Sequence, residues 1–497
     1  MSKNYTNSTL IRLFAIGLNA LGAVLLLPFV LKSLGENAFG LWSMANAIVG
    51  YLLLLDFGIA YACTRYLALH GDDKRVWQMT LSTSMFLSLL LTGLLLLVAV
   101  LVQFSVPQLA ITQQALREVI TILLVEVALS VPLRLYQSIL RAEVRYLEIG
   151  WFETVRISLR LLGIPLILWL GGGLIAILLY ASAVNVLFFI LMLISVYRRD
   201  KTVYVQWSAV DWQHLKALLS FSKYTALGQT ADFFKYRTDN ILVGVLIGIQ
   251  AVAPYAIMIV LIDMLTQILM RFQSYWDTII IRQVGEQRLA SALDTLLTSL
   301  QIGVGLALLA VFNTWLVGET FLTLWVGQSY AYLALPLTIF TLTLLGLAVQ
   351  LATTPYFNAV GKQKANALLG VSEMGIKLVL LWPFSTLFAA DGIIYASVLA
   401  AFLATLLRMN SLAAALSVRP TRLWRMVACK TLPATLLVMS LWGLTFLGAR
   451  AGLHGWVLLA LMLTLETLLF FLILKKRHVP NHLLIFTTCL KPHSNTH

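Results

Sequence analysis

The stretch FFKYRTDNILVG, Phe233–Gly244, decides the architecture. It places Lys235, Arg237 and Asp239 within five residues, with Asp232 just ahead, inside a long apolar region. Read as a loop, it removes one membrane crossing. Read as a spanning helix, it adds one, and every later loop changes side.

That a membrane is involved follows from composition. Of 497 residues, 60% are hydrophobic and 11% charged, and the mean hydropathy is +0.89. Soluble domains are roughly 45–50% apolar and about 25% charged. Runs near the ~20 apolar residues that cross a bilayer recur along the chain. Ten-residue alternating strands are absent, which excludes an outer-membrane barrel. The net charge of +14 would point a soluble protein towards nucleic acid. Here the charge falls in short loops, so it reports topology, and no nucleic-acid partner is expected.

Hydropathy gives spans near 10–31, 40–63, 79–104, 117–140, 151–170, 174–196, 218–247, 251–271, 295–317, 332–353, 366–388, 391–412, 431–449 and 454–474. With the seventh counted and the N-terminus in the cytoplasm, Lys and Arg favour cytoplasmic segments by roughly nine to one. Arg141, Arg145, Arg156, Arg198, Arg199, Arg408 and Arg419 are counted there; Lys32, Arg117 and Arg450 stand opposite. Omitting the seventh span reverses the bias in the second half. The Phe233–Gly244 stretch therefore reads as membrane-spanning.

The expectation is an all-α integral membrane protein of about 14 transmembrane helices with both termini cytoplasmic. It has a first lobe over 1–200 with helices 1–6, a cytoplasmic linker over 201–217, a second lobe over 218–415 with helices 7–12, and helices 13–14 with a tail over 416–497. The apolar N-terminal run is long enough to span and reads as an uncleaved helix. Cys63, Cys429 and Cys489 have no metal-ligand spacing and no expected disulfide. Trp42, Trp207, Trp212 and Tyr330 fall near span ends, as interfacial anchors do.

The lobes are expected to repeat. LGENAFGLWSMA from Leu34 matches IGIQAVAPYAIM from Ile247, pairing Gly35, Gly40 and Trp42 with Gly248, Ala253 and Tyr255. A weaker match pairs the basic turns ILRAEVRYLEIGWFETV from Ile139 and NAVGKQKANALLGVSEM from Asn358. Parallel repeats of this kind place a transporter's site between halves near the midplane.

Five cations remain inside spans: Arg134, Arg160, Lys235, Arg237 and Lys377. Each costs about 2.5–3.5 kcal/mol facing lipid, so a polar cavity or an opposite charge must receive them. Asp232, Lys235 and Asp239 share one helix face, as do Glu153, Arg156 and Arg160; Glu373 and Lys377 stand at i,i+4. The candidate anion-binding set is Lys235 and Arg237, supported by Arg134, Arg160 and Lys377. Asp239, Asp263 and Glu126 are candidates for carrying a coupling proton or sodium ion. There is no P-loop sequence and no metal or nucleophile constellation, so transport is favoured over catalysis, with no cofactor.

Leu34–Ala68, with its Gly35-to-Gly40 turn followed by Asp56, Gly58 and Arg65, resembles the O-antigen type polysaccharide flippases of the multidrug/oligosaccharidyl-lipid/polysaccharide exporter superfamily. TDNILVGVLIGIQAVAPYAI from Thr238 resembles their second-half counterpart, although Pro254 replaces a more usual glycine; Leu324–Leu337 and Asn358–Asn366 are also similar. The resemblance implies a two-lobed flippase of an undecaprenyl-diphosphate-linked oligosaccharide in a bacterial inner membrane. It would work beside a polysaccharide polymerase and a chain-length regulator. A multidrug-type exporter and a non-transporting scaffold of an assembly complex are the alternatives.

Overall fold

The computed structural model describes residues 17–18, 22, 24–54, 59–69, 73–104, 111–199, 205–219 and 239–450. Among them every regular element is helical: α1 (Val24–Leu34), α2 (Glu36–Leu54), α3 (Ile59–Leu69), α4 (Lys74–Phe104), α5 (Ile111–Ala142), α6 (Tyr146–Trp169) and α7 (Leu174–Arg199). There follow α8 (212–219), α9 (Asp239–Leu246), α10 (Ile249–Gly285), α11 (Leu289–Trp325), α12 (Ala334–Thr341), α13 (Thr343–Ala359), α14 (Gln363–Ala415) and α15 (Pro420–Arg450). Seven of these helical stretches are long and apolar enough to cross a membrane. The protein is an all-α integral membrane protein.

The helix α4 shows why these sequences fold with their largest apolar residues outward. Leu90, Leu94, Leu97 and Leu101, at i,i+4,i+7,i+11, are more than half exposed, and that spacing makes one stripe. The opposite stripe, Leu81, Ser84, Ser88, Leu91 and Leu95, is buried. Lipid is as apolar as leucine, so helices gain by close packing through small residues rather than by hiding leucine. On α5, Leu124, Val127, Ala128 and Val131 receive Leu91, Leu95 and Ala99 of α4, and the Thr92 hydroxyl donates to the Ala128 carbonyl at 2.8 Å.

Two compact units result, Met1–Val260 and Leu261–His497. In the first, α5 and α7 enclose a core of Leu135, Ile139, Phe188, Met192 and Val196 with Cys63 and Leu67 of α3. In the second, α10, α11 and α13–α15 gather around Ile280, Leu300, Tyr356, Phe357 and Leu412. The Gln273 amide donates to the carbonyls of Ala348 at 2.9 Å and Ser299 at 3.4 Å, joining α10 to α13 and α11.

The span boundary expected between 388 and 391 is a break inside α14. Ala389 adopts φ 51°, ψ −129°. A Cβ on Gly392 would lie 1.9 Å from the Phe384 carbonyl oxygen, so only glycine fits beside the reversed chain.

The turns carry the repeat into three dimensions. Gly35 and Gly248 both take positive φ, 78° and 128°, between α1–α2 and α9–α10. The basic turns also match. Val144 donates to Arg141 and Arg145 to Leu140 before α6; Gly361 donates to Asn358 and Lys362 to Phe357 before α14. Val144 and Gly361 are the positive-φ residues, at 59° and 76°. This double hydrogen-bond pattern closes helix ends through a left-handed residue.

Residues 205–219, largely within the expected linker, are fastened to α4. Gln206 N–H donates to Ser82 Oγ at 3.0 Å and Asp211 N–H to Thr83 Oγ1 at 3.4 Å. His214 Nε2 lies 2.9 Å from Thr80 Oγ1. Asp211 Oδ1 caps α8, accepting from the N–H groups of Gln213 and His214 at 2.5 and 2.9 Å, as an N-cap carboxylate does. Those bonds hold its carboxyl below the usual aspartate range.

Candidate functional site

Four helices of the first unit converge on a cavity of about 180 Å3. α5 contributes Glu126, Ser130 and Arg134, spaced by four so that they form one stripe. α6 contributes Arg156 and Arg160, also at i,i+4, and α7 contributes Ser182, Asn185 and Phe189. α2 adds Trp42 and Asn46. Glu126, Arg156, Arg160 and Asn185 all stand near the middle of their helices, the depth at which a charge is most costly in lipid.

Two of the arginines stand over aromatic rings. The guanidinium carbon of Arg156 lies 4.7 Å from the Phe188 ring centroid, and that of Arg134 lies 5.6 Å from the Phe189 centroid. Both fall within cation–π range. Arg156 Nη1 approaches Asn185 Oδ1 at 3.5 Å. Glu126 accepts a hydrogen bond on each oxygen, from Ser182 Oγ and Asn185 Nδ2, both at 2.6 Å. Buried Nε of Arg156 and buried Ser130 Oγ have no hydrogen-bond partner among the described residues. Buried donors left open in this way fit an absent acceptor. Three guanidiniums against one carboxylate give the described lining a net positive charge, with open donors suited to phosphate or carboxylate oxygens.

Of the candidate residues named from sequence, Arg134, Arg160 and Glu126 meet in this cavity. Lys377 is buried in the first part of α14, and Asp263 is on α10, both in the second unit. Asp239 opens α9 and is buried, accepting from the Tyr255 hydroxyl at 2.8 Å. Arg65 is exposed on α3, 5.6 Å from the Tyr66 ring centroid. Gly35 and Gly40 flank the α1–α2 turn. Lys235, Arg237, Asp56 and Gly58 lie outside the described residues.

Two assignments need correction. Arg156, counted with the cytoplasmic charge, is ten residues into α6 because that helix begins at Tyr146, and it lines the cavity. Arg408, counted likewise, is 4% exposed within α14 and donates to Asn366 Oδ1 at 2.8 Å and to the Thr353 and Thr354 hydroxyls at 3.3 and 3.4 Å. Charge counting grouped both with the cytoplasmic side, although each falls inside an expected span, 151–170 or 391–412, and within a helix of the structure. Trp42, grouped with the interfacial aromatics, is part of the cavity wall. Ser182 and Asn185 were not singled out; isolated polar residues in an apolar helix carry only their burial cost as a signal.

Aligning the matching turns reveals a further correspondence. Arg160 and Lys377 each stand sixteen residues beyond the positive-φ residue of their turn, Val144 and Gly361. The repeat thus keeps a cation at the same register of both halves.

A bundle of long apolar helices with a charged pocket at mid-height is the build of a membrane transporter. The structure is similar to the lipid II flippase MurJ in its inward closed conformation, with TM-score 0.70 at 12% identity over 95% of this chain and 98% of that one. It is also similar to a multidrug resistance MATE family transporter of the MOP superfamily in an inward-facing conformation, with TM-score 0.64 at 16% identity over 82% and 98%. At such identities the likeness is one of fold.

The chain belongs to the polysaccharide biosynthesis protein family, whose sequence profile matches residues 6–275. A protein described as a putative O-antigen transporter from Shigella flexneri is 33% identical over 72 residues. That match covers 14% of this chain and 17% of the relative, so the aligned part is less than a fifth of the relative's length.

Proposed function

We propose that the protein flips an undecaprenyl-diphosphate-linked oligosaccharide across a bacterial inner membrane by alternating access of lobes 1–200 and 218–415, with both termini cytoplasmic. The observation that carries this reading is the cavity of the first unit, where Arg134, Arg156 and Arg160 face one carboxylate at mid-height. A diphosphate leaving water loses its hydration, and guanidiniums replace it with charge-assisted, two-pronged hydrogen bonds. Family membership supports polysaccharide precursors as the cargo class. The positive charge disfavours cationic drugs, which such a pocket would repel.

Lys235, Arg237 and Lys377 are proposed as further contacts for the anion. Asp239, Asp263 and Glu126 remain the proposed carriers of a coupling proton or sodium ion. A polysaccharide polymerase and a chain-length regulator are the proposed neighbours in the membrane.

The test is complementation. A strain lacking the chromosomal gene is supplied with wild type or with the Arg156→Ala/Arg160→Ala double variant, and surface polysaccharide is measured at matched membrane protein levels. Loss of polymer with the double variant is expected. Full polymer would overturn the assignment of the cavity.

A further inference from the structure

Among the described residues the cavity is lined by one acid, Glu126, with Arg156, Arg160 and Arg134 along the same space. No ion pair joins Glu126 to Arg156 or Arg160 among the described residues. Both of its oxygens are instead taken by neutral donors of α7 at 2.6 Å. The Asn185 amide faces two ways: its Nδ2 donates to Glu126, and its Oδ1 accepts from Arg156 Nη1. One side chain therefore satisfies the carboxylate and the guanidinium while keeping them apart. A direct pair would be the simpler arrangement for two opposite charges in a cavity of low dielectric.

We infer that Asn185 is a positioning residue that, with Ser182, holds Glu126 off Arg156 and so leaves that guanidinium open to a diphosphate. The inference rests on the anion-site reading above. Glu153, one turn from Arg156 on α6, is outside the lining and makes no ion pair with it, acting on it only through space. Without the Asn185 amide, Glu126 loses a donor and Arg156 loses the acceptor that stands between them. The carboxylate would then occupy Arg156 in place of the ligand.

The chemistry is shared by a lipid-linked diphosphate and a soluble one, and two probes separate them. Full-length protein in detergent is titrated with farnesyl diphosphate and with inorganic pyrophosphate. Tighter binding of farnesyl diphosphate assigns the site to a lipid headgroup, and the reverse order to a soluble anion. Asn185→Leu is expected to weaken binding of the preferred probe about tenfold, the size of coupling between neighbouring polar groups. Glu126→Gln is expected to tighten it, and in the Glu126→Gln background Asn185→Leu should have little further effect. A merely structural role for Asn185 would not be rescued by removing the acid. Asn185→Ser, too short to reach both partners, serves the same purpose if the leucine variant does not fold.

Wild-type protein that binds neither probe overturns the anion-site reading itself. Wild type that binds, with Asn185→Leu unchanged or with its loss undiminished in Glu126→Gln, overturns only the positioning role.

Discussion

Gly40 of α2 lies against the start of α10: a Cβ there would stand 2.8 Å from the Ile249 carbonyl oxygen and 3.5 Å from Val252 Cβ. Both partners belong to repeated turns, so the motif LGENAFG packs on its own second copy. The contacted oxygen is backbone and has little room to retreat. Gly40→Ala is expected to lower the thermal midpoint in detergent, and Gly40→Val more so, by about 1–3 kcal/mol for an overpacked contact. Gly93→Ala in α4 is the control. Nothing lies within 4 Å of its Cβ position, so removing a mid-helix glycine there should be neutral or stabilising by up to about 1 kcal/mol.

The Tyr255 hydroxyl binds the buried Asp239 carboxylate across the α9–α10 turn. Tyr255→Phe removes that donor while keeping the ring. A loss of about 1–3 kcal/mol is expected from leaving a buried acceptor short of a bond, read as a fall in unfolding midpoint. An unchanged midpoint would mean that the hydroxyl contributes nothing to the turn.

Arg408 is buried and donates to Asn366 Oδ1 at 2.8 Å. Asn366→Ala should destabilise the second unit by about 1–3 kcal/mol, whereas Asn366→Asp, which supplies a full charge to the same guanidinium, should not. Protease sensitivity of the α13–α14 turn distinguishes the two.

The cap on α8 gives a pH dependence. Asp211 is held below its ordinary range by bonds from His214 and Gln213, so its folded pKa is depressed relative to the unfolded chain. Its contribution is fully present above the unfolded aspartate pKa, about 3.9, and disappears as pH falls through the lower folded value. Protection of the 213 and 214 amides, relative to their intrinsic exchange rates, should therefore fall only in strong acid in the wild type. It should already be lost at neutral pH in Asp211→Ala.

Much of the helical plan was legible in the sequence, because a spanning helix announces itself by apolar length. The break at Ala389 fell in the expected gap, and the two short repeats foretold matching turns at Gly35 and Gly248. Arg134, Arg160 and Glu126 were found by asking which charges remained after loops were assigned. Arg156 was missed by the same bookkeeping, although its i,i+4 relation to Arg160 was the available signal. The register shared by Arg160 and Lys377 was hidden because Val144 and Gly361 have no chemical likeness. They match in backbone conformation, which a residue-by-residue comparison does not see.

The outward leucines of α4 and its inward serines bear on how this sequence can drift. In a soluble protein the large apolar residues are the constrained ones. Here Leu90, Leu94, Leu97 and Leu101 are more than half exposed, so an apolar side chain of another shape should serve. Ser84 and Ser88 are fully buried, so a larger side chain there must displace its neighbours. A saturation scan of α4 should find its outward leucines more permissive than its inward serines.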